Sequence, residues 1–580
     1  MFVSSRGREK EISPSPTTDG AKWLPLSPRN PYAIPHSRHS GDVGSVAYVS
    51  TGPLAHPLAP EVLLRMGPTG GAWAQDLFCD IKKVYHNEMR QDVITRETIE
   101  RPLWEDIQLL IGRDLLEVLD RAAEETGVEI RLVGGAVRDL IIDRPTTDLD
   151  FVLEGDCERV ADRISELLGR GSQATIFRNF RTAQVKYRGR ELEFVGARRE
   201  SYTEESRKPE VSEGTFAEDE ARRDFTINVL SVTVTGPGAG TLHDPFEGLR
   251  DLSMGIIRTP LDPDITFSDD PLRMMRAVRF ATQLRFTIPP DMLAAIRRNA
   301  ERLRIVSADR IEGEFMKIMA CRRPSIGLDL MYRTGLMDIY LPEVSALQGA
   351  ETQDGVGHKD NFYHTLQVVD NVAERSDSLR LRMAALFHDI GKPRSKQFVR
   401  GGWTFHNHDY LGQRMLPKIF RRAKFPTDER LKYVRKLVSL HMRPAQLADD
   451  GVTDSAVRRL LFDAGDDIED LMLLCESDLT SKNPRKVERY LNNFAIVREK
   501  LREIEEKDRI RNFQPPVDGR EIMDLYELEP CSAVGQIKEA IKNAILDGLI
   551  HNDRQEALKY MEQWASDELG LTPTKPLPLE

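Results

Sequence analysis

Two hydrophobic rhythms divide the chain. In one, an apolar residue returns every three or four positions; in the other, apolar and polar residues alternate singly. Trp104 to Thr126, WEDIQLLIGRDLLEVLDRAAEET, follows the first rhythm and predicts a single helix with Gly127 as its C-cap. Glu129 to Val133 then reads as a strand, Gly134 and Gly135 as a tight junction, and the segment carrying Arg138 and Asp139 as a short amphipathic helix. A polar turn at Asp143 to Thr147 leads into a strand, Asp148 to Val152. ERVADRISELLGRGS predicts another helix, and Ala174–Phe177, Ala183–Tyr187 and Glu191–Val195 predict strands. An acidic loop, the apolar stretch Val229–Val234, and a turn, short helix and strand across His243–Thr259 close this region. From Ser268 onward the helical rhythm dominates, so the fold class is α+β, a mixed-sheet head followed by helices.

Composition narrows the classes. A chain of 580 residues is long enough for roughly three to five domains with sizeable cores. Net charge is -11, so no global basic field points to nucleic acid, although a local basic groove is compatible with it. The cysteines Cys79, Cys157, Cys321, Cys475 and Cys531 form no CxxC pair and suit a reducing, cytoplasmic setting. No apolar run approaches the roughly 18 residues of a membrane span, and no signal peptide opens the chain. Met1 to about Tyr85 is rich in Pro, Ser, Gly and His without sustained period; it reads either as a disordered arm or as sequence preceding a true start at Met89.

The candidate chemistry sits on these elements. Residues i and i+2 of a strand share a face, so Asp148 and Asp150 present two carboxylates together while Leu149 and Phe151 face a core. Such paired oxygen donors suit Mg²⁺ with substrate phosphates, and the glycine pair before a helix suits the phosphates themselves. A lone DxD is usually a solvated strand edge; here the glycines and Arg138 lie within the same short span. Glu191 and Glu193 share a face, and either is a candidate third carboxylate. In RRDFTINVL, Arg223 is suited to phosphate, and Asp224 and Asn228 to ribose hydroxyls or to orienting the other groups. Ser268-Asp269-Asp270-Pro271 starts a helix whose Asp270 and Arg273 lie at i, i+3. As an acceptor beside a donor fork, the pair fits the amino group and ring nitrogen of cytosine and adenine and disfavours uracil and guanine. Arg276 and Arg279 follow on the same helix. Farther on, His364, His388-Asp389, His408, His441 and Asp478 form a cluster of imidazoles and carboxylates suited to a divalent transition metal or a two-metal hydrolytic site.

These motifs, in this order, resemble the class II tRNA nucleotidyltransferases, the CCA-adding enzymes and their bacterial poly(A) polymerase relatives, from about Trp104 to Trp564. LVGGAVRD with DLDF resembles the catalytic motif, RRDFTINVL the ribose-contacting one, and DPFEGLRDLSMGIIR the hinge. DDPLRMMRAVRF is similar to the base-reading helix and SADRIEGEFMKI to the neck helix. The resemblance implies a polymerase-beta-like nucleotidyltransferase head (89–256), a helical neck (257–345), an HD-containing body (346–480) and a tRNA-binding tail (481–580), with 1–88 as an extension. It implies Mg²⁺ at Asp148 and Asp150, Glu193 as third carboxylate, and Gly134, Gly135 and Arg138 at the triphosphate. Arg223, Asp224 and Asn228, with Asp270, Arg273, Arg276 and Arg279, would bind the nucleotide. Asp269 departs from the glutamate usual there. The expected partners are tRNA, CTP and ATP. His364, His388, Asp389 and Asp478 resemble the HD phosphohydrolase signature and imply a second divalent-metal site. A poly(A) polymerase, a C-only or A-only adding enzyme, and an HD hydrolase with an RNA-binding head remain alternatives at this point, and oligomeric state is left open.

Overall fold

The computed structural model describes residues 103–578 apart from 179–180, 204–205, 350–351, 354–355, 358–359, 451–452, 482, 509–510 and 512. The expected arm, or alternative start at Met89, lies outside the described residues.

The expected first helix is two helices, Leu103–Ile111 and Arg113–Thr126, broken at Gly112. The helical rhythm ran through the break because both pieces bury a face, Ile107 and Ile111 in one and Leu115 and Leu119 in the other. Gly127 closes the second helix as expected, its N–H donating to Ala123 O at 2.8 Å.

The head is built on strands β1 (Ile130–Val133), β2 (Leu149–Leu153), β3 (Gln173–Phe177), β4 (Thr182–Tyr187), β5 (Arg190–Gly196), β6 (Arg198–Thr203), β7 (Ser206–Glu213), β8 (Ser231–Thr233) and β9 (Leu242–His243). Seven of them form one sheet in the order β3-β4-β5-β2-β1-β8-β9, and β6 pairs with β7 alone. The β2–β5 pair is parallel and the other neighbours are antiparallel, which makes the expected mixed sheet. A parallel pair needs a crossover. Here it includes the helix Cys157–Leu168, whose N-cap Asp156 accepts from the N–H groups of Glu158 and Arg159. On one face of the sheet Leu149, Phe151, Leu192 and Phe194 are buried, with the two phenyl rings stacked at 5.1 Å.

Two local expectations fail. The acidic loop is a hairpin, β6–β7, followed by the helix Phe216–Ala221 with a capping box formed by Thr215 and Glu218. Charged and hydroxyl residues dominate both hairpin strands, so no apolar alternation marks them. After the helix Gly248–Met254, Ile256 makes a single bridge to Thr287 where a strand was expected.

Beyond Asp262 the structure is dominated by helices, with small hairpins such as Gln397–Val399 paired to Gly402–Thr404. A charged segment near the C-terminal end forms one long helix, Pro484–Asp508, burying Phe494, Val497, Leu501 and Ile504. Among the described residues no helix is long and apolar enough to cross a membrane.

Candidate functional site

The head site forms where β1 ends and β2 begins. The parallel register sets Asp150 directly opposite Glu193, and Asp148 stands one residue before β2. Alternation puts the phenyl and leucyl groups of both strands into the core and leaves the carboxylates on the other face. Asp148 and Glu193 are exposed and Asp150 is half-buried. Burial, and then the charges of Glu193 and Asp148, push the Asp150 carboxyl up to about 6, against the opposing pull of Arg223. Crowded carboxylates of this kind are relieved by a divalent cation, and oxygen donors of this number and spread suit Mg²⁺ completed by phosphate oxygens.

Beside them, Gly134 precedes the helix Gly135–Ile141 with φ 72, a backbone conformation that side chains disfavour. Its missing Cβ would lie 3.7 Å from an Arg223 Nη1, and that of Gly135 3.7 Å from an Arg138 Nη2. Two guanidinium groups therefore overhang the glycine pair at a helix start, an arrangement that favours an anion. Neither arginine is loose. Buried Arg138 donates to Asp139 at 2.8 Å and to Asn228 Oδ1 at 2.6 Å. Arg223 donates to Asp219 at 2.9 and 3.1 Å. Asp219 is buried, which alone would raise its pKa; Arg223 and Arg222 outweigh this and hold it below the usual range.

Asp224 was expected to address ribose or to orient the other groups, and the structure gives it the second task. Its carboxylate accepts from Phe225 N (2.9 Å), Asn228 Nδ2 (3.0 Å) and Arg276 Nε (2.7 Å). Burial opposes its ionisation, but Arg276 and Asn228 keep it low. A hydrogen-bonded chain thus runs Arg138–Asn228–Asp224–Arg276, from the glycine pair to the helix Leu272–Leu284.

That helix alters the base-reading expectation in detail. Asp270 does not lie on its face; it stands before the first turn with φ -128, and its Oδ1 caps Leu272 N at 3.1 Å. Its Oδ2 lies 3.4 Å from Arg310, and Arg273 donates to Arg222 O at 2.6 Å. The two residues are adjacent through the bond from Arg273 N to Asp270 O, 2.9 Å. Arg279, which the resemblance groups with the nucleotide-binding residues, is buried and paired with buried Glu314 of the helix Ala308–Met319, so it joins two helices. Nothing in the local sequence identifies Glu314 as its partner, 35 positions away.

The histidine cluster is assembled by helix ends. His364 lies in Asn361–Arg375; His388 and Asp389 follow Leu379–Phe387; His408 begins His408–Ala423; His441 follows Glu429–Leu440; Asp478 follows Ile468–Ser477. His364 Nε2 is 2.8 Å from Asp478 Oδ1, and His388 Nε2 is 3.2 Å from Asp389 Oδ2. Lys392 Nζ lies 2.5 Å from that same oxygen. His388 is buried, yet the Asp389 and Asp478 carboxylates push it up to about 10. Burial and the neighbouring His388 push His441 down to about 4. His408 and His441, which lie outside the residues that resemble the HD signature, stand with Asp389 as a second compact triad beside His364, His388 and Asp478. Asp370, on the same helix as His364, accepts from Ser325 N and Oγ.

Comparison with known proteins agrees with this geometry. Residues 130–258 match the family described as Poly A polymerase head domain, 285–347 the "Probable RNA and SrmB- binding site of polymerase A", and 361–483 the HD domain. The chain is 31% identical over 366 residues to the A-adding tRNA nucleotidyltransferase of Deinococcus radiodurans, covering 61% of this chain and 80% of the relative. It is 30% identical over 443 residues to the CC-adding tRNA nucleotidyltransferase of Thermus thermophilus, covering 74% and 93%. In fold it is similar to the Bacillus stearothermophilus CCA-adding enzyme solved with CTP, at TM-score 0.54 and 23% identity over 79% of this chain and 98% of that one. The Thermotoga maritima CCA-adding enzyme solved with tRNA gives TM-score 0.51 and 18% identity over 78% and 97%. The motif order, the mixed-sheet head and these relatives together place the chain among the class II tRNA nucleotidyltransferases, the CCA-adding enzyme family, in the form that carries an HD domain.

Proposed function

We propose that the head adds the terminal C, C and A to tRNA in the cytoplasm, using CTP and ATP and no nucleic-acid template. The reading rests chiefly on one observation, the parallel register that sets Asp150 opposite Glu193 beside a glycine pair overhung by Arg138 and Arg223. Asp148, Asp150 and Glu193 would hold Mg²⁺. Bound there, the metal would activate the tRNA 3′-hydroxyl and offset charge on the departing pyrophosphate. Arg138 and Arg223, which overhang the glycine pair, take the triphosphate. Asn228 and Asp224 hold Arg138 and Arg276 in place, so the nucleotide meets a preorganised set of donors. Asp270 and Arg273 read the base. Positioning and electrostatics suffice for such a transfer, and no covalent nucleophile is required. The helices beyond residue 480 serve as the tRNA-gripping tail.

Relatives named for A addition and for CC addition match with similar identity, so single-nucleotide resolution decides the product. Purified protein with Mg²⁺ is given tRNA transcripts ending before, within and after CCA, and CTP, ATP or both. Addition that stops when the missing nucleotides are in place is expected. Addition of C alone, of A alone, or of a long A ladder overturns the assignment.

A further inference from the structure

The sheet order separates the two partners of a transfer reaction. Asp150 and Glu193 stand on the neighbouring strands β2 and β5, and the glycine pair follows β1, on the other side of β2. A triphosphate held at the glycine pair therefore lies on the β1 side. In nucleotidyl transfer the attacking oxygen and the leaving group lie roughly in line across the phosphorus. The attacking hydroxyl then reaches the carboxylates from the β5 side, where β4 and β3 carry the sheet to its edge.

Register extends the carboxylate face in that direction. Gln184 of β4 stands opposite Glu193, and Thr175 of β3 stands opposite Gln184. Asp150, Glu193, Gln184 and Thr175 form one row across four strands, on the face turned away from buried Phe151 and Phe194. The flanking rows set Lys186 opposite Glu191 and Phe177 opposite Thr182. Strands lie about 4.8 Å apart, so β4 runs about 10 Å from the Asp150 backbone, the reach of a single nucleotide.

The chemistry of this outer strip suits a polyanion. From Ala174 to Arg190 the chain carries five cations, Arg178, Arg181, Lys186, Arg188 and Arg190, and no acid, against a net charge of -11 overall. Arg190 is tied to the carbonyls of Leu110 and Ile111 and Arg181 to that of Gly155, while Arg178, Lys186 and Arg188 remain largely exposed. Glu191, the acid not opposite Asp150, is held from β4: Gln184 Nε2 donates to it at 3.1 Å, and Lys186 Nζ lies 3.2 Å away. Both β4 side chains are thereby fixed on the open face with N–H groups presented. A cross-strand ion pair alone would account for Lys186 and Glu191. It does not account for the acid-free run, or for Phe177, a phenyl ring left 45% exposed on the same face. Such a ring beside cations is a stacking surface for an unpaired base.

We propose that β4 and β3 seat the 3′ end of the tRNA. Lys186 takes the phosphate of the terminal nucleotide, Gln184 takes its ribose, and Phe177 stacks on the base before it. The three position the 3′-hydroxyl at the Glu193 side of the carboxylates, across from the triphosphate. This inference rests on the nucleotidyl-transfer reading of the head.

The test uses the full chain and a tRNA transcript that lacks CCA and ends in 4-thiouridine. Irradiated with the unaltered protein and Mg²⁺, the transcript is expected to crosslink within β3 or β4, as mapped by mass spectrometry of the digested adduct. Incorporation kinetics on the unmodified transcript then assign the roles. Lys186→Ala and Gln184→Ala are each expected to raise KM for tRNA about five- to tenfold, with KM for CTP within about twofold, and Lys186→Arg to restore the parent value. Phe177→Leu is expected to raise KM for tRNA about fivefold and Phe177→Tyr, which keeps the ring, to leave it unchanged. Crosslinks confined to other elements, variants that leave KM for tRNA unchanged, or variants that shift KM for CTP equally overturn the seat, while incorporation by the parent upholds the transfer reading. No incorporation by the parent on any transcript overturns that reading, and the seat with it.

Discussion

The head and the histidine cluster solve one problem in opposite ways. The head draws its carboxylates from adjacent strands and leaves Asp148 and Glu193 open to solvent, within reach of a substrate. The cluster draws its ligands from five helices and buries His388, Asp389, His408 and His441, with ring nitrogens tethered to backbone carbonyls. An open, register-built site costs little when one ligand changes, and its loss is felt in chemistry. A buried cage is coupled to the packing of every helix that enters it, and its loss is felt in folding.

Substitution on each side separates the two most sharply. Asp150→Asn is expected to reduce nucleotide incorporation by about 10³-fold or more, on the scale of removing an essential electrostatic group, with the protein still folded. His388→Ala is expected to leave incorporation within about twofold while abolishing metal retention by the cluster. Primer-extension gels and metal analysis on the same preparations check both. Incorporation that follows His388 and ignores Asp150 would overturn the division.

A smaller effect is expected at the joint within the cage. In Gly391→Ala the new Cβ would lie 2.1 Å from His408 O and 2.8 Å from Gly412 N, both backbone atoms that cannot rotate away. Overpacking costs about 1–3 kcal/mol when side chains can yield, and a backbone contact lies at or above the top of that range. Urea unfolding is expected to show this loss, accompanied by weaker metal retention and unchanged incorporation. A neutral Gly391→Ala would mean that the two triads are not rigidly joined.

The two sites also differ in how far the sequence revealed them. The alternation of DLDFV put Asp148 and Asp150 on one face and Leu149 and Phe151 in the core because strand geometry is local. The choice of Glu193 over Glu191 needed the β2–β5 register, a long-range property that the resemblance supplied and periodicity did not. Gly112 breaks a helix whose apolar rhythm continues across it, and β6–β7 carries no apolar alternation that would mark it in the sequence. The resemblance groups Arg279 with the nucleotide-binding residues, while its burial against Glu314 depends on how two helices pack, which the sequence does not display. His408 and His441 were visible as histidines, but their partnership with Asp389 depends on where three helices end.

The gentlest probe of the open site is pH, because Asp150 already responds to its neighbours. In cation-free protein its carboxyl is pushed up to about 6, by burial first and by Glu193 and Asp148 next. Its unfolded value is about 3.9, so between the two the native state holds a proton that the unfolded chain has lost. Native stability from this group is therefore greatest below about pH 4 and declines as pH rises through about 6, by at most about 3 kcal/mol and less where water reaches the carboxylate. In chelator at pH 7.5, Asp150→Asn is expected to be more stable than the parent by about 1–2 kcal/mol, and the difference is expected to vanish near pH 4. Added Mg²⁺ competes with the same proton, so its affinity for the head is expected to fall about tenfold per pH unit below about 6. It is expected to stabilise the parent at pH 7.5 and to have little effect on Asp150→Asn. Urea melts at the two pH values with and without Mg²⁺ measure this directly. If the parent and Asp150→Asn stay equally stable at pH 7.5 in chelator, Asp150 is better solvated than its position opposite Glu193 implies, and the two sites differ less than their burial suggests.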